Sequence, residues 1–166
     1  MKKILRTMIT VLALLILPSL FFCGCGEDKS GNTINEPEIT GEYLAEEYAQ
    51  QLMTDGAITM LGYVNILKNN GSSYSVEITE KEVVPSADYD DGYYIADTNL
   101  VMDATLGTSA RITCLEADGY AVKTADEFIE DQGDSSPNEV HIYTVYMMGD
   151  SVELIVEKAP EDVELK

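Results

Sequence analysis

The sequence predicts a mainly β domain of the α+β class. The expected form is a small antiparallel barrel or an open sheet, with an N-terminal helix and a short helix before the last hairpin. Three observations predict it. Apolar and polar residues alternate in short segments bounded by Gly, Asn, Asp and Pro, most regularly over 73–84. A helical recurrence, Leu44, Tyr48 and Leu52, opens the domain. Thr124-Ala125-Asp126-Glu127 has the form of a capping box and stands ahead of the last strand pair.

The helix is expected over 40–55. Thr40 suits the N-cap, Glu42 the first turn, and Gly56 a left-handed stop. Strands follow at 58–68 and 73–84. They are joined by Asn69-Asn70-Gly71-Ser72, whose Asn and Gly tolerate positive φ, so the two form a hairpin. Pro85 ends the second strand, and 86–92 is a loop. Shorter strands are expected at 93–96, 100–106, 110–115 and 120–122. Turns at Asp97-Thr98-Asn99, Gly107-Thr108 and Asp118-Gly119 separate them. A short helix then runs from Thr124 to about Asp131.

The last hairpin pairs 139–148 with 151–157 across Gly149-Asp150. In its second strand, Val152, Leu154 and Val156 alternate with Ser151, Glu153 and Glu157. Residues 159–166 read as a frayed tail. Short strands with one late helix before the final two resemble the element order of an OB-like barrel. A fold of that kind does not by itself assign a function.

The first 24 residues have the layout of a secretory signal. Lys2, Lys3 and Arg6 make a positive start, an apolar run spans 8–17, and Pro18-Ser19 breaks it. A membrane-spanning helix needs about 20 continuous apolar residues, and Pro18 with Gly24-Cys25-Gly26 shortens this one. Gly24 is small and directly precedes Cys25, and Phe22 is the apolar residue three before it. This segment resembles the lipobox of bacterial lipoproteins. The resemblance implies cleavage before Cys25, a diacylglyceryl thioether on its sulfur and acylation of its new amino group. Each buried methylene contributes about 0.8 kcal/mol, so two or three chains hold a protein to a membrane where one does not. The alternative is ordinary cleavage and release, with Cys25 a spare thiol. Residues 25–39 are polar and read as a flexible tether with a reach of roughly 20 Å. The globular domain is expected over 40–158.

The whole chain of 166 residues carries 10 Lys and Arg against 30 Asp and Glu, a net charge of −20. Losing Lys2, Lys3 and Arg6 with the leader leaves 7 cations and a charge of −23. Nucleic acid is therefore excluded as an expected partner, since binding it rests on Lys and Arg neutralising phosphates. Anionic lipid surfaces are poor partners for the same reason. Cations, sugars and basic peptides fit the charge, and solubility alone also accounts for it. With Cys25 lipidated and Cys23 removed, Cys114 has no disulfide partner.

The densest polar candidate for a site is Asp88, Tyr89, Asp90, Asp91 and Tyr93, with Asp97 near. Hard cations take six to eight oxygens, and carboxylates on a turn supply several. Calcium is thus the one cofactor the sequence offers, against an expectation of none. An EF-hand loop needs glycine at its sixth position and glutamate at its twelfth. Counted from Asp88, Gly92 is fifth and Asn99 twelfth. The tyrosines offer rings for a sugar, and a solvated acidic loop accounts for the same residues. Asp126, Glu127, Glu130, Asp131 and Asp134 form a second acidic run, either a solvated face or a dock for a basic partner.

Enzyme motifs are missing. No G-x-S-x-G, P-loop or G-x-G-x-x-G appears, and His141 is the single histidine. A Cys114–His141 pair is the only nucleophile–base combination to weigh as a hydrolase. The sequence therefore points to a lipid-anchored, non-enzymatic envelope domain that binds or scaffolds an unknown envelope protein. A small-ligand module for calcium or carbohydrate is the second reading.

Overall fold

A computed structural model describes residues 37–134 and 141–163. The chain divides into Met1–Asn35, which lies outside the described residues, and a compact unit, Glu36–Lys166. The signal, Cys25 and most of the tether therefore fall outside the description. Among the described residues, no helix is long and apolar enough to cross a membrane.

Helix α1 covers 41–54, as an α turn at Gly41–Tyr43, a π-helical stretch at Leu44–Tyr48 and an α segment at Ala49–Thr54. Thr40 caps it as expected, its Oγ1 accepting from the Tyr43 N–H at 3.1 Å. The wider π turns change which residues share a face. Leu44, Ala45, Ala49 and Leu52 are buried, and Tyr48 swings to the half-buried flank. Strands β1 (Ile58–Lys68) and β2 (Tyr74–Pro85) form the predicted hairpin. Then come β3 (Tyr93–Glu116), β4 (Gly119–Lys123), helix α2 (Ala125–Asp134), β5 (Ile142–Met148) and β6 (Ser151–Lys158). Pro160–Asp162 adds a 3-10 turn where fraying was expected.

The sheet order β2-β1-β5-β6-β3-β4, with a further β2–β3 pairing, closes a ring: β1-β2-β3-β6-β5-β1. The domain is mainly β, a six-stranded mixed sheet closed into an uneven barrel-like ring with β4 attached outside it. One feature departs from the antiparallel expectation, because β3 and β6 run parallel. Such a pair needs a long crossover, which β4, α2 and β5 supply.

The breaks expected at 97–99 and 107–108 do not end strands. Both are bulges within one strand, β3. Thr98, Asn99 and Leu100 stand against Glu80 alone, and Asn99 has φ 62°. Residues 107–110 stand against Glu153. Turn-forming residues bend the strand instead of reversing it, which a small ring requires. In β1 the bend falls at Gly62, where pairing passes from β5 to β2. A Cβ there would strike the Thr79 carbonyl, so only glycine lets the strands approach.

Two cores result. Met60, Val64, Ile66, Val76, Ile78, Val145 and Ile155 fill the barrel, with Phe128 of α2 set edge-on to Tyr143, ring centres 5.4 Å apart. Leu44, Ala49 and Leu52 of α1 cover Tyr146, Leu154 and Val156 on the outside of β5 and β6. Both cores lie wholly within Glu36–Lys166, so this unit carries what it needs to fold alone. Pairing of Tyr146 with Leu154 and of Met147 with Val152 leaves Glu153 as an extra residue. The simple alternation expected of β6 fails there. Val152 and Ile155 line the barrel, and Glu157 is buried in place of pointing outward.

Helix α2 closes one region of the barrel. Its predicted capping box is present: Glu127 Oε2 accepts from the Thr124 N–H at 2.8 Å, and Thr124 Oγ1 accepts from the Glu127 N–H at 3.3 Å. The Gln132 amide donates to Val64 O and accepts from the Ile66 N–H, satisfying β1 backbone beyond the reach of β5. Lys68 Nζ meets Asp126 at 2.7 Å, and the Tyr74 hydroxyl donates to Asp126 at 3.1 Å.

Candidate functional site

The acidic candidates sit on the arm formed by the end of β2, loop 86–92 and the start of β3. The arm forms because Val83, Val84 and Pro85 pair with Ile95, Tyr94 and Tyr93 beyond the reach of β1. The loop holds itself. Ser86 N–H donates to Gly92 O at 2.8 Å, Gly92 N–H to Tyr89 O at 2.9 Å, and Asp88 N–H to Ser86 Oγ at 3.3 Å. Gly92 takes φ 76°, the left-handed conformation that closes the turn.

Asp88, Tyr89, Asp90 and Asp91 are all exposed there. Tyr89 stacks on Tyr94 with ring centres 5.4 Å apart. Tyr93 opens β3, where partial burial raises its hydroxyl pKa and the Glu161 and Asp91 charges add to the rise. Asp97 is drawn elsewhere. It pairs with Lys81, whose ammonium lies 4.2 Å from the Tyr63 ring centre. Asp97 lies four positions beyond Tyr93 along the strand, about 13 Å. The loop therefore brings three aspartates and a tyrosine stack to one tip but leaves Asp97 out. Among the described residues, no three Asp, Glu, His or Cys side chains gather to hold a metal.

Three members of the second acidic run, Asp126, Glu127 and Asp131, are engaged within the fold, and Glu130 is exposed. Asp126 contacts Lys68 and Tyr74, Glu127 caps α2, and Asp131 lies 2.5 Å from Lys123. The Lys68 hydrogen bond, then that of Tyr74, lowers the Asp126 pKa, and the Thr124 hydrogen bonds lower that of Glu127.

Cys114 and His141 form no hydrogen bond with each other among the described residues; His141 is engaged by Glu157 instead. Cys114 is buried in the barrel, and burial, then the Glu157 charge, pushes its thiol up to about 12. It stays protonated, whereas a nucleophile needs the thiolate. His141 stands just before β5, not within it, and its Nδ1 lies 2.5 Å from Glu157 Oε1. The other Glu157 oxygen accepts from the Leu115 N–H at 2.8 Å. Glu157 thus ties the ends of β3 and β6 to the start of β5, a role hidden until the β6 bulge turns it inward. Burial, then the same Glu157 charge, raises the Tyr143 pKa.

Sequence reading also missed the outer face of β1, β2 and β3. Register sets three rows across it: Tyr63–Thr79–Val101, Asn65–Glu77–Asp103 and Leu67–Ser75–Thr105. The inner rows, Val64–Ile78–Met102 and Ile66–Val76–Ala104, belong to the barrel core. The signal for the outer rows is alternation in β1 and β2, but the third strand joins only once the ring is known. Comparison with protein families, with curated proteins and with solved structures finds no match for this chain.

Proposed function

We propose that this chain is a lipid-anchored protein of the bacterial cell envelope whose barrel is a non-enzymatic binding domain. Cys25, after Gly24, carries the lipid, and residues 25–39 tether the barrel. The observation that carries the binding reading is the contrast between buried and exposed chemistry. The one thiol among the described residues is buried and protonated, and the imidazole is held by Glu157. The outer face and the arm present their polar groups to solvent.

The anchor is tested by feeding cells a clickable fatty acid and isolating the protein. Label on the parent and on Cys23→Ala, lost in Cys25→Ala with release from the membrane fraction, is the expected result. Unlabelled parent protein in the medium would remove the anchor.

A small-ligand reading is favoured by one specific feature, the exposed Tyr89–Tyr94 stack beside Asp88, Asp90 and Asp91. Melting residues 36–166 with calcium, magnesium and chelator tests its cation form. Ligand at 100 times its dissociation constant adds about 2.7 kcal/mol, a shift of several degrees. A calcium shift abolished by Asp90→Asn with Asp91→Asn supports it, and an unchanged melt removes it.

A further inference from the structure

We infer that the outer face of β1, β2 and β3 docks a cationic protein segment that also carries apolar side chains. This rests on the reading of the barrel as a binding domain and names the partner's chemistry. Glu77 and Asp103 stand directly opposite each other in the β2–β3 register, both exposed, with Asn65 completing their row. Cβ atoms so placed are about 5 Å apart, and like charges there destabilise the sheet. Among the described residues, no cation pairs with either carboxylate. The rows on each side carry apolar side chains among hydroxyls: Tyr63 on β1 and Val101 on β3 beside Thr79 in one, and Leu67 on β1 beside Ser75 and Thr105 in the other. Val101 is 55% exposed and Leu67 54% exposed, while Tyr63 is half-buried and its ring is already met by the Lys81 ammonium, 4.2 Å from its centre. A negative centre thus lies between two apolar contacts on one sheet face.

The charge selects the occupant. A nucleic acid or an anionic bilayer would be repelled by the two carboxylates and by a chain of net charge −20. A second copy brings the same charge. The tether that the proposed cleavage leaves, residues 25–39, carries Glu27, Asp28, Glu36 and Glu38 against Lys29 alone. A bare metal ion finds two carboxylates and no third Asp, Glu, His or Cys side chain. A segment with Lys or Arg among aliphatic side chains matches both parts of the face, because the cation relieves the Glu77–Asp103 repulsion while Val101 and Leu67 are covered.

The probe is a short peptide alternating lysine and valine, titrated into isotopically labelled residues 36–166 and followed by backbone amide shifts. The expected shifts cluster at Asn65, Leu67, Glu77, Val101 and Asp103. Glu77→Gln with Asp103→Asn should weaken binding about tenfold. Asp90→Asn with Asp91→Asn removes the same net charge from the arm and should change affinity by less than about twofold. Val101→Ser, which alters no charge, should also weaken binding. Equal losses from the two charge-matched pairs, shifts centred on Asp88–Asp91 or on α2, or no binding would each overturn the proposal. Fatty-acid labelling at Cys25 is read separately, so failure of the anchor and failure of the face are distinguishable.

Discussion

The α2 region and the β2–β3 arm are both rich in carboxylates and use them in opposite ways. Around α2, Asp126 meets Lys68 and Tyr74, Glu127 caps the helix, and Asp131 meets Lys123. In the arm, Asp88, Asp90 and Asp91 face solvent and only Asp97 is paired, with Lys81. The difference follows from what lies beneath each group. Helix α2 seals the barrel through Phe128 and Gln132, and this docking brings Asp126, Glu127 and Asp131 against their partners, while Glu130 stays exposed. The arm projects past β1 and has no such neighbour to serve. Equal acidity therefore carries different meanings: structural around α2, solvating or interactive on the arm.

The sharpest way to break this contrast is to truncate one aromatic in each region. Phe128 is 1% exposed and packs on Tyr143. Phe128→Ala should cost about 3–5 kcal/mol. Tyr89 is 55% exposed, and Tyr89→Ala should stay within about 0.5 kcal/mol. Denaturant melts of both variants decide it, and comparable losses would mean that the arm is part of the core.

Gln132 comes next. Its loss leaves the Val64 carbonyl and Ile66 N–H without their protein partner in a partly buried setting. Gln132→Ala should cost roughly 1–3 kcal/mol and speed hydrogen exchange at Ile66. An unchanged exchange rate at Ile66 would show that water serves β1 equally well there.

These two residues show what was legible in the sequence. Local signals survived: Asn70-Gly71 for the first hairpin, Gly149-Asp150 for the last, Thr124 to Glu127 for the cap of α2. Each depends on neighbours a few residues away. Phe128 sits in a recognisable helix, but nothing local says that it enters a barrel. Gln132 reaches a strand 66 and 68 positions back, an interaction with no local trace. The bulges in β3 carried turn residues and read as turns, because whether Asn99 or Gly107 reverses or merely bends a strand is decided by the ring. The site was legible in the same proportion. The Asp88–Asp91 run is contiguous and stood out, whereas Glu77 and Asp103 lie on different strands and meet only through register.

Acid titration gives a smaller, signed effect. The Asp126 and Glu127 pKa values are lowered in the folded state by the Lys68 and Thr124 hydrogen bonds. A lowered folded value contributes stability above the ordinary carboxylate pKa and loses it as pH falls through the folded one. The melting temperature should therefore decline across the acid limb, and Asp126→Asn should flatten that decline. A slope identical to that of the parent would mean that the Lys68 contact contributes nothing in solution.

The smallest expected effect is on the arm, and it carries the most weight for the contrast. Asp90→Asn with Asp91→Asn removes two exposed charges that no described cation engages, from a chain of net charge −20. Self-repulsion in so acidic a chain favours their removal, while the loop's own backbone hydrogen bonds are untouched. Stability without added ligand should hold within about 0.5 kcal/mol or rise slightly. A clear fall would show that the arm aspartates are as structural as Asp126. Unchanged stability leaves them free of a folding role and open to contact from outside the domain.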